Sequence, residues 1–429
     1  MDTSPGGSLV LPDDPERALA QDFRLLPEGN SFHLAQLTKI IDKHKQQLVN
    51  MAETFLSSCQ RWVAIVHQAT FRERCSNLWL HGSRDFLLLL LAMGMITRPL
   101  LSGNEPDSLR ELMYEAVKRL FWDKDSVARP SVALIQAGLL LSVYEYGNGL
   151  LNASYVTISV CSSLAQVSGL CGALNAPPLP RLGTLASQDE MLHTWWGIII
   201  HERMISLKSH LPIRQLHIQD PNAMNNALLE AELHTIIPKL AIDSHYPAFY
   251  LQARAAIWLD HVLEIVHSSP VISKEGRLHF QAVDRGLVHF LRILVQLGMG
   301  TCCEAIAIGL NAFFRLHHWR LDSHAPSVFT EQEREESSQA MKTILTILAD
   351  VASDQVYFNN VMRQVNDDIV EVFPYTITMI YQLLLEMRDQ LPPPRTSAEP
   401  SPQPFDALQN EMRMMKYILE KQSVNILTI

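Results

Sequence analysis

Apolar residues return at helical spacing along almost the whole chain. Leu109, Leu112, Met113, Ala116, Val117, Leu120 and Phe121 follow the i, i+3, i+4, i+7 rule without a miss, which lays an apolar stripe along one side of an α-helix. The same period runs through Ser131–Tyr146, Ser154–Leu170, Met191–Leu207, Ala248–Val266, Leu278–Leu297, Glu304–Leu316, Ser338–Val351 and Asp368–Met387. No segment alternates polar and apolar residues as a half-buried strand would. The pattern predicts an all-α protein with one large multi-helix domain. Phe86 to Ile96 is apolar throughout and ends at Thr97-Arg98-Pro99. A membrane-spanning helix needs about 20 residues, so this shorter run predicts a buried helix of a soluble protein.

Punctuation divides the helical stretches. Ser131 and Asp189 stand where N-caps belong, and Pro130 stops the segment before it. Gly147-Asn148-Gly149 signals a turn, and Ala176–Pro180, Pro212, Pro221 and Pro270 signal loops. Pro374 predicts a kink in the last long pattern. Residues 1–50 read as a flexible segment, loose over 1–30, followed by a leading helix, and 51–390 as the helical body. Residues 391–406 form a Pro/Ser-rich linker. Residues 407–429 hold a C-terminal amphipathic helix with Leu408, Met412, Met415 and Ile418 on one side, expected to dock back on the body, with binding of a partner as the alternative. No repeat with a recurring signature is present, so a tetratricopeptide or armadillo array is not supported, while stacked helix pairs without a sequence repeat stay open.

Composition sharpens this. Apolar residues make up 47% and charged residues only 19% of the 429 positions, against about 25% charged in ordinary soluble domains, so the chain buries a large core. Its 35 Lys and Arg face 45 Asp and Glu, for a formal net charge of −10. Non-specific DNA affinity comes mainly from neutralising phosphates, so the chain as a whole is not a nucleic-acid glove. The densest basic cluster is Lys43-His44-Lys45. Six cysteines are scattered through apolar stretches, and Met1 to Asp14 carries no apolar leader. Both features predict reduced, buried thiols in an intracellular protein. Buried packing also outweighs metal ligation or a strained disulfide for the adjacent Cys302 and Cys303.

Candidate chemistry is thin. Asp367-Asp368-Ile369-Val370-Glu371 has the form of the aspartate-rich Mg²⁺ motif of a terpene cyclase, but the N-D-x-x-S-x-x-x-E partner is absent. An acidic first turn at a helix N-terminus explains it better. His201-Glu202 is followed by Arg203-Met204-Ile205, so no H-E-x-x-H is formed. His317 and His318 point to different sides of a helix, and His261 and His267 are not spaced to share one. Neither a nucleophile elbow, a P-loop nor a dinucleotide fingerprint occurs, and Ser, His and Asp are too numerous to assign a triad without geometry. No catalytic, metal-ligating or cofactor-binding residue is assigned.

One ordered set of motifs stands out. PSVALIQAGLLLSVYEYGNGLLN (130–152) is followed by a helix ending in Gly169-Leu170, then by TWWGIIIHERMISL (194–207), with SRDFLLLLLAMGMITRPL (83–100) ahead of them. In this order they resemble the fungal-specific transcription factor domain, the middle homology region of binuclear zinc-cluster factors, over Phe86 to about Leu229. His193 stands where that family commonly has Arg, Glu202 where it has Asp, and its proline-rich segment survives only at Leu211-Pro212-Ile213 and Ile218–Pro221. The six-cysteine zinc module should contain a C-x-x-C pair. No two cysteines here have that spacing, and residues 1–58 contain none. The resemblance therefore implies a nuclear transcriptional regulator or co-regulator of, for instance, a secondary-metabolite gene cluster, without direct DNA contact. Its expected partners are another transcription factor or the transcription machinery, as a homo- or heterodimer, with no membrane role and with room for a small-molecule effector. An all-α metabolite sensor and a terpene-cyclase-like enzyme are the alternatives. Trp195, Trp196, Tyr144, Tyr146 and Arg203 read as scaffold rather than ligand contacts, with Glu202 or Glu145 as the counter-ion of Arg203.

Overall fold

The computed structural model describes residues 15–25, 34–61, 63–76, 83–97, 108–123, 130–170, 185–209, 247–267, 274–297, 299–321, 329–341 and 343. Twelve α-helices follow in order: α1 (Pro15–Arg24), α2 (Leu34–Lys43), α3 (Lys45–Ser57), α4 (Gln68–Ser76), α5 (Arg84–Thr97), α6 (Ser108–Phe121), α7 (Val132–Gly147), α8 (Leu151–Val167), α9 (Leu185–Ser209), α10 (Pro247–His267), α11 (Lys274–Leu297) and α12 (Met299–Leu321). A 3-10 turn, Cys59–Arg61, follows α3, and residues 331–341 are helical. Among the described residues there is no strand. The all-α prediction holds.

Two helices form the centre. Every side chain from Phe86 to Met95 in α5 and from Ala133 to Tyr146 in α7 is buried. A helix apolar on all sides has no face to show to water and must be wrapped. Accordingly α5 and α7 pack on each other, α3 and α6 cover α5, and α6, α8 and α9 cover α7. A second group is built on the α10–α12 pair, with α11 packed mainly on α12. Helix α9 touches α7, α8 and α10, and so joins the two groups.

The predicted cap and turn are both present. Ser131 Oγ accepts from the Leu134 amide at 3.2 Å and donates to Asp85 Oδ2 at 2.6 Å, which ties the start of α7 to the first turn of α5. At the other end Asn148 Nδ2 donates to Tyr144 O at 2.7 Å, and Gly149 takes φ +76°, a left-handed corner that glycine adopts without strain. The chain then doubles back into α8. There Ser142 Oγ donates to Ser154 O at 3.0 Å and Ser154 Oγ donates to Ser142 O at 2.8 Å.

Three features differ from expectation. Within the flank read as loose, Pro15–Arg24 forms α1, which buries Leu19, Ala20 and Phe23 and packs on α6. With so few apolar positions its period is too short to read from sequence. Asp189 is not an N-cap, because α9 begins at Leu185. Helix α12 runs beyond 304–316 at both ends, with a break in its first turn at Cys302 (φ −143°, ψ 28°) whose thiol donates to Leu294 O at 3.2 Å. Asp367–Glu371, Pro374, the 391–406 linker, the 407–429 helix and the loops around 176–180, Pro212, Pro221 and Pro270 lie outside the described residues.

Close approach of α7 to its neighbours depends on Gly138. A Cβ there would sit 2.3 Å from Phe121 Cε2 and 2.6 Å from Cys161 Sγ. Gly138→Ala is expected to destabilise the fold by about 1–3 kcal/mol through overpacking, despite its better helix propensity, as read by urea unfolding.

Candidate functional site

The motif-bearing helices carry polar groups inward, and each group must find a partner there. On α7, Gln136 is fully buried. Its Nε2 donates to Ile65 O at 2.6 Å and faces Glu190 Oε1 and Thr194 Oγ1 of α9, both at 3.1 Å. Thr194, the first residue of the TWWG motif, donates to Glu190 O at 2.7 Å, and Arg74 of α4 lies 3.9 Å from the other Glu190 oxygen. This cluster fastens the segment after α3 to α7 and α9.

One turn from the end of α7, Glu145 is 1% exposed. Thr157 of α8 donates to its Oε2 at 2.7 Å, and Tyr114 of α6 donates to its Oε1 at 3.3 Å. Burial pushes the Glu145 carboxyl above its ordinary range, against the pull of these hydrogen bonds and of Lys118. Burial also raises the Tyr114 phenol, whose oxygen accepts from Lys118 Nζ at 3.2 Å. Tyr114 stacks on Tyr144 with centroids 5.0 Å apart, and the Arg110 guanidinium lies 4.8 Å above the Tyr144 ring. The YEYG residues thus hold α6, α7 and α8 together.

The third cluster forms the seam between the two helix groups. Arg203 of α9 is 2% exposed. Its Nε donates to Asp260 Oδ1 of α10, its second fork arm reaches Asp260 Oδ2 at 3.1 Å, and its third nitrogen reaches Glu202 Oε2 at 3.3 Å. Such a two-pronged contact suits guanidinium and carboxylate geometry. About three turns earlier, His193 meets the Tyr250 hydroxyl at 3.2 Å and sets its ring edge-on to Phe249, 5.6 Å away. Between them His201 Nδ1 donates to Gly197 O at 3.1 Å, and burial drives its pKa down to about 4. His201 is therefore neutral at physiological pH.

Residues 52–235 match the model of the fungal specific transcription factor domain. The chain carries this domain. The matched model describes a domain of fungal transcription factors, and it covers 184 of the 429 residues. No curated protein and no solved structure matches the chain. The domain begins within α3, ahead of the Phe86 boundary drawn from motifs, and so takes in the segment around Ile65 that Gln136 and Thr194 fasten. Its match ends before α10, so Asp260 lies outside it.

The expected scaffold residues lie as follows. Trp195 and Tyr146 are buried, Tyr144 is nearly so, and Trp196 packs against the core from the edge. Glu202 does pair with Arg203, as one of the two options had it. Glu145 does not, because it faces α6 and α8 instead. Asp260, Gln136, Glu190 and Tyr114 escaped the sequence reading. Only an inward register on their helices marked them, and that register is shared with many apolar neighbours. Geometry does assemble one Ser-His-Asp set: His317 lies 3.0 Å from Ser337 Oγ and 3.1 Å from Asp284 Oδ1. With Ser337 fully buried, no substrate reaches the hydroxyl, and the set serves to tie α11, α12 and 331–341. Among the described residues no group of three or more potential metal ligands forms, and no helix is long and apolar enough to cross a membrane.

Two outcomes follow from the seam. Arg203→Ala leaves Asp260 and Glu202 without their cation and is expected to cost about 3–5 kcal/mol. Arg203→Lys recovers only part of that, because a point charge cannot replace the fork, and urea titration of the three proteins ranks them. His201 has a folded pKa below its unfolded value, so its contribution is present above pH 6.5 and fades as pH falls toward 4. From these two values, lowering the pH from 7 to 5 should remove about 2 kcal/mol through this group alone. His201→Gln should shrink that loss, as seen by denaturant unfolding at both pH values.

Proposed function

We propose that the chain is a nuclear transcriptional regulator that reaches its genes through protein partners. The observation that carries this reading is the matched regulatory domain over residues 52–235 in a sequence with no C-x-x-C pair. An overall charge of −10 supports it, since phosphate neutralisation supplies most non-specific DNA affinity. Burial of the domain's signature residues supports it as well: Trp195, Glu202 and Arg203 act as scaffold, which leaves recognition to the outer faces of the helices. The partner in this reading is a DNA-binding transcription factor of the zinc-cluster type, and the regulator itself performs no catalysis. By the family likeness, the proposal extends to a secondary-metabolite gene cluster as the target.

The test fuses the full chain to an unrelated DNA-binding domain and reads a reporter in a fungal host. Expected is a change of at least about tenfold in reporter output, with no binding of duplex DNA by the chain alone at physiological salt. An affinity pull-down from the source organism should also recover a zinc-cluster protein. Sequence-specific DNA binding by the purified chain would overturn the proposal. So would Mg²⁺-dependent turnover of a prenyl diphosphate.

A further inference from the structure

Helix α11 packs on α12 and α10, and among the described residues no other helix packs closely on its opposite face. Along that face Arg277, Leu278, Gln281, Arg285, Arg292 and Val295 are exposed, Leu278 at 57% and Val295 at 52%. Positions 278, 285 and 292, and positions 281, 288 and 295, recur every seven residues, as the a and d positions of a helix-pairing seam do. The seam runs for about 26 Å at 1.5 Å per residue. Its charge is uniformly positive in a chain of net charge −10. Arg277 reaches Glu333 at 3.6 Å, whereas Arg285 gives its Nε only to Gln281 O, at 3.2 Å. Neither Arg285 nor Arg292 meets a carboxylate among the described residues. Asp284, beside the stripe, is turned toward His317 at 3.1 Å.

We propose that this face of α11 docks an acidic amphipathic helix of a protein partner. Carboxylates opposite Arg285 and Arg292 would meet two cations that no carboxylate of the described residues engages, and apolar side chains would cover Leu278, Val288 and Val295. Two physical arguments favour a helix over nucleic acid. Exposed Leu and Val offer nothing to a phosphate backbone, and a long polyanion would run past the stripe into the field of an acidic protein. A short acidic helix covers the stripe alone. The surface deepens the partner-borne reading above, and rests on it only in that a partner is needed.

The test uses the full chain and a fluorescein-labelled helical peptide of about three heptads, with Leu placed to face Leu278, Val288 and Val295 and Glu to face the arginines. Fluorescence anisotropy should show binding that weakens as salt is raised. The Arg285→Glu/Arg292→Glu protein, with unchanged circular dichroism, should bind at least about tenfold more weakly. A peptide with Lys in place of Glu should restore affinity for that variant, and Leu278→Ser/Val295→Ser should weaken the original peptide. Overturning outcomes are no binding by the wild-type chain, equal binding of a scrambled peptide, indifference to the charge reversal, or capture of duplex DNA by the same arginines in preference to the peptide. A chain that binds the peptide but recovers no zinc-cluster protein would refute the proposed partner and leave this surface standing.

Discussion

Helices α5 and α7 lie under every other choice the described chain makes. Ten consecutive side chains of one and fourteen of the other are buried, so neither can serve as an outer wall. Each Leu, Ile, Val, Phe or Met among them is worth about 1.5–3 kcal/mol when removed from water, and none of that is realised until α3, α6, α8 and α9 close around the pair. Cooperation among distant segments is therefore built in. Gly138 shows how tight the closure is, since the ring of Phe121 and the thiol of Cys161 already occupy the space a methyl group would need.

A core of that kind leaves few places for polar groups, and three that α7 carries are paired across helices. Gln136 reaches α9, Glu145 reaches α6 and α8, and Ser142 exchanges hydrogen bonds with Ser154. Leaving one such group unpaired costs about 1–3 kcal/mol. An alternative register of α7 would strand all three at once. Apolar packing supplies the stability, and these contacts select one arrangement among many of similar apolar area. The family's YEYG and TWWG residues fall among them, which explains why they carry a recognisable pattern while pointing inward.

Helix type and approximate extent were legible because period and punctuation agree: Ser131 caps α7 and Gly149 turns the corner into α8, as their sequence neighbourhoods indicate. The family was legible from the order of its motifs. Partners were not. Nothing in AFYLQARAAIWLDHV marks Asp260 as the residue that meets Arg203, because a pairing between α9 and α10 depends on how the two helices cross. For α1 the obstacle was length. With Leu19, Ala20 and Phe23 as the buried apolar residues among 18–24, its pattern does not rise above that of a polar loop.

The counter-ion of Arg203 has a consequence for where the molecule can be divided. Similarity closes the domain at residue 235, yet the guanidinium buried on α9, its last described helix, is neutralised by Asp260, which belongs to the next described group of helices. The stretch matched to the domain model and the stretch tied together by this ion pair are therefore not the same. A fragment ending at the similarity boundary would keep the charge and lose half of its neutralisation, whereas one that runs through α10 would retain it. Recombination that joined this domain to a different C-terminal half would have to bring an acid to the same place, or replace the arginine.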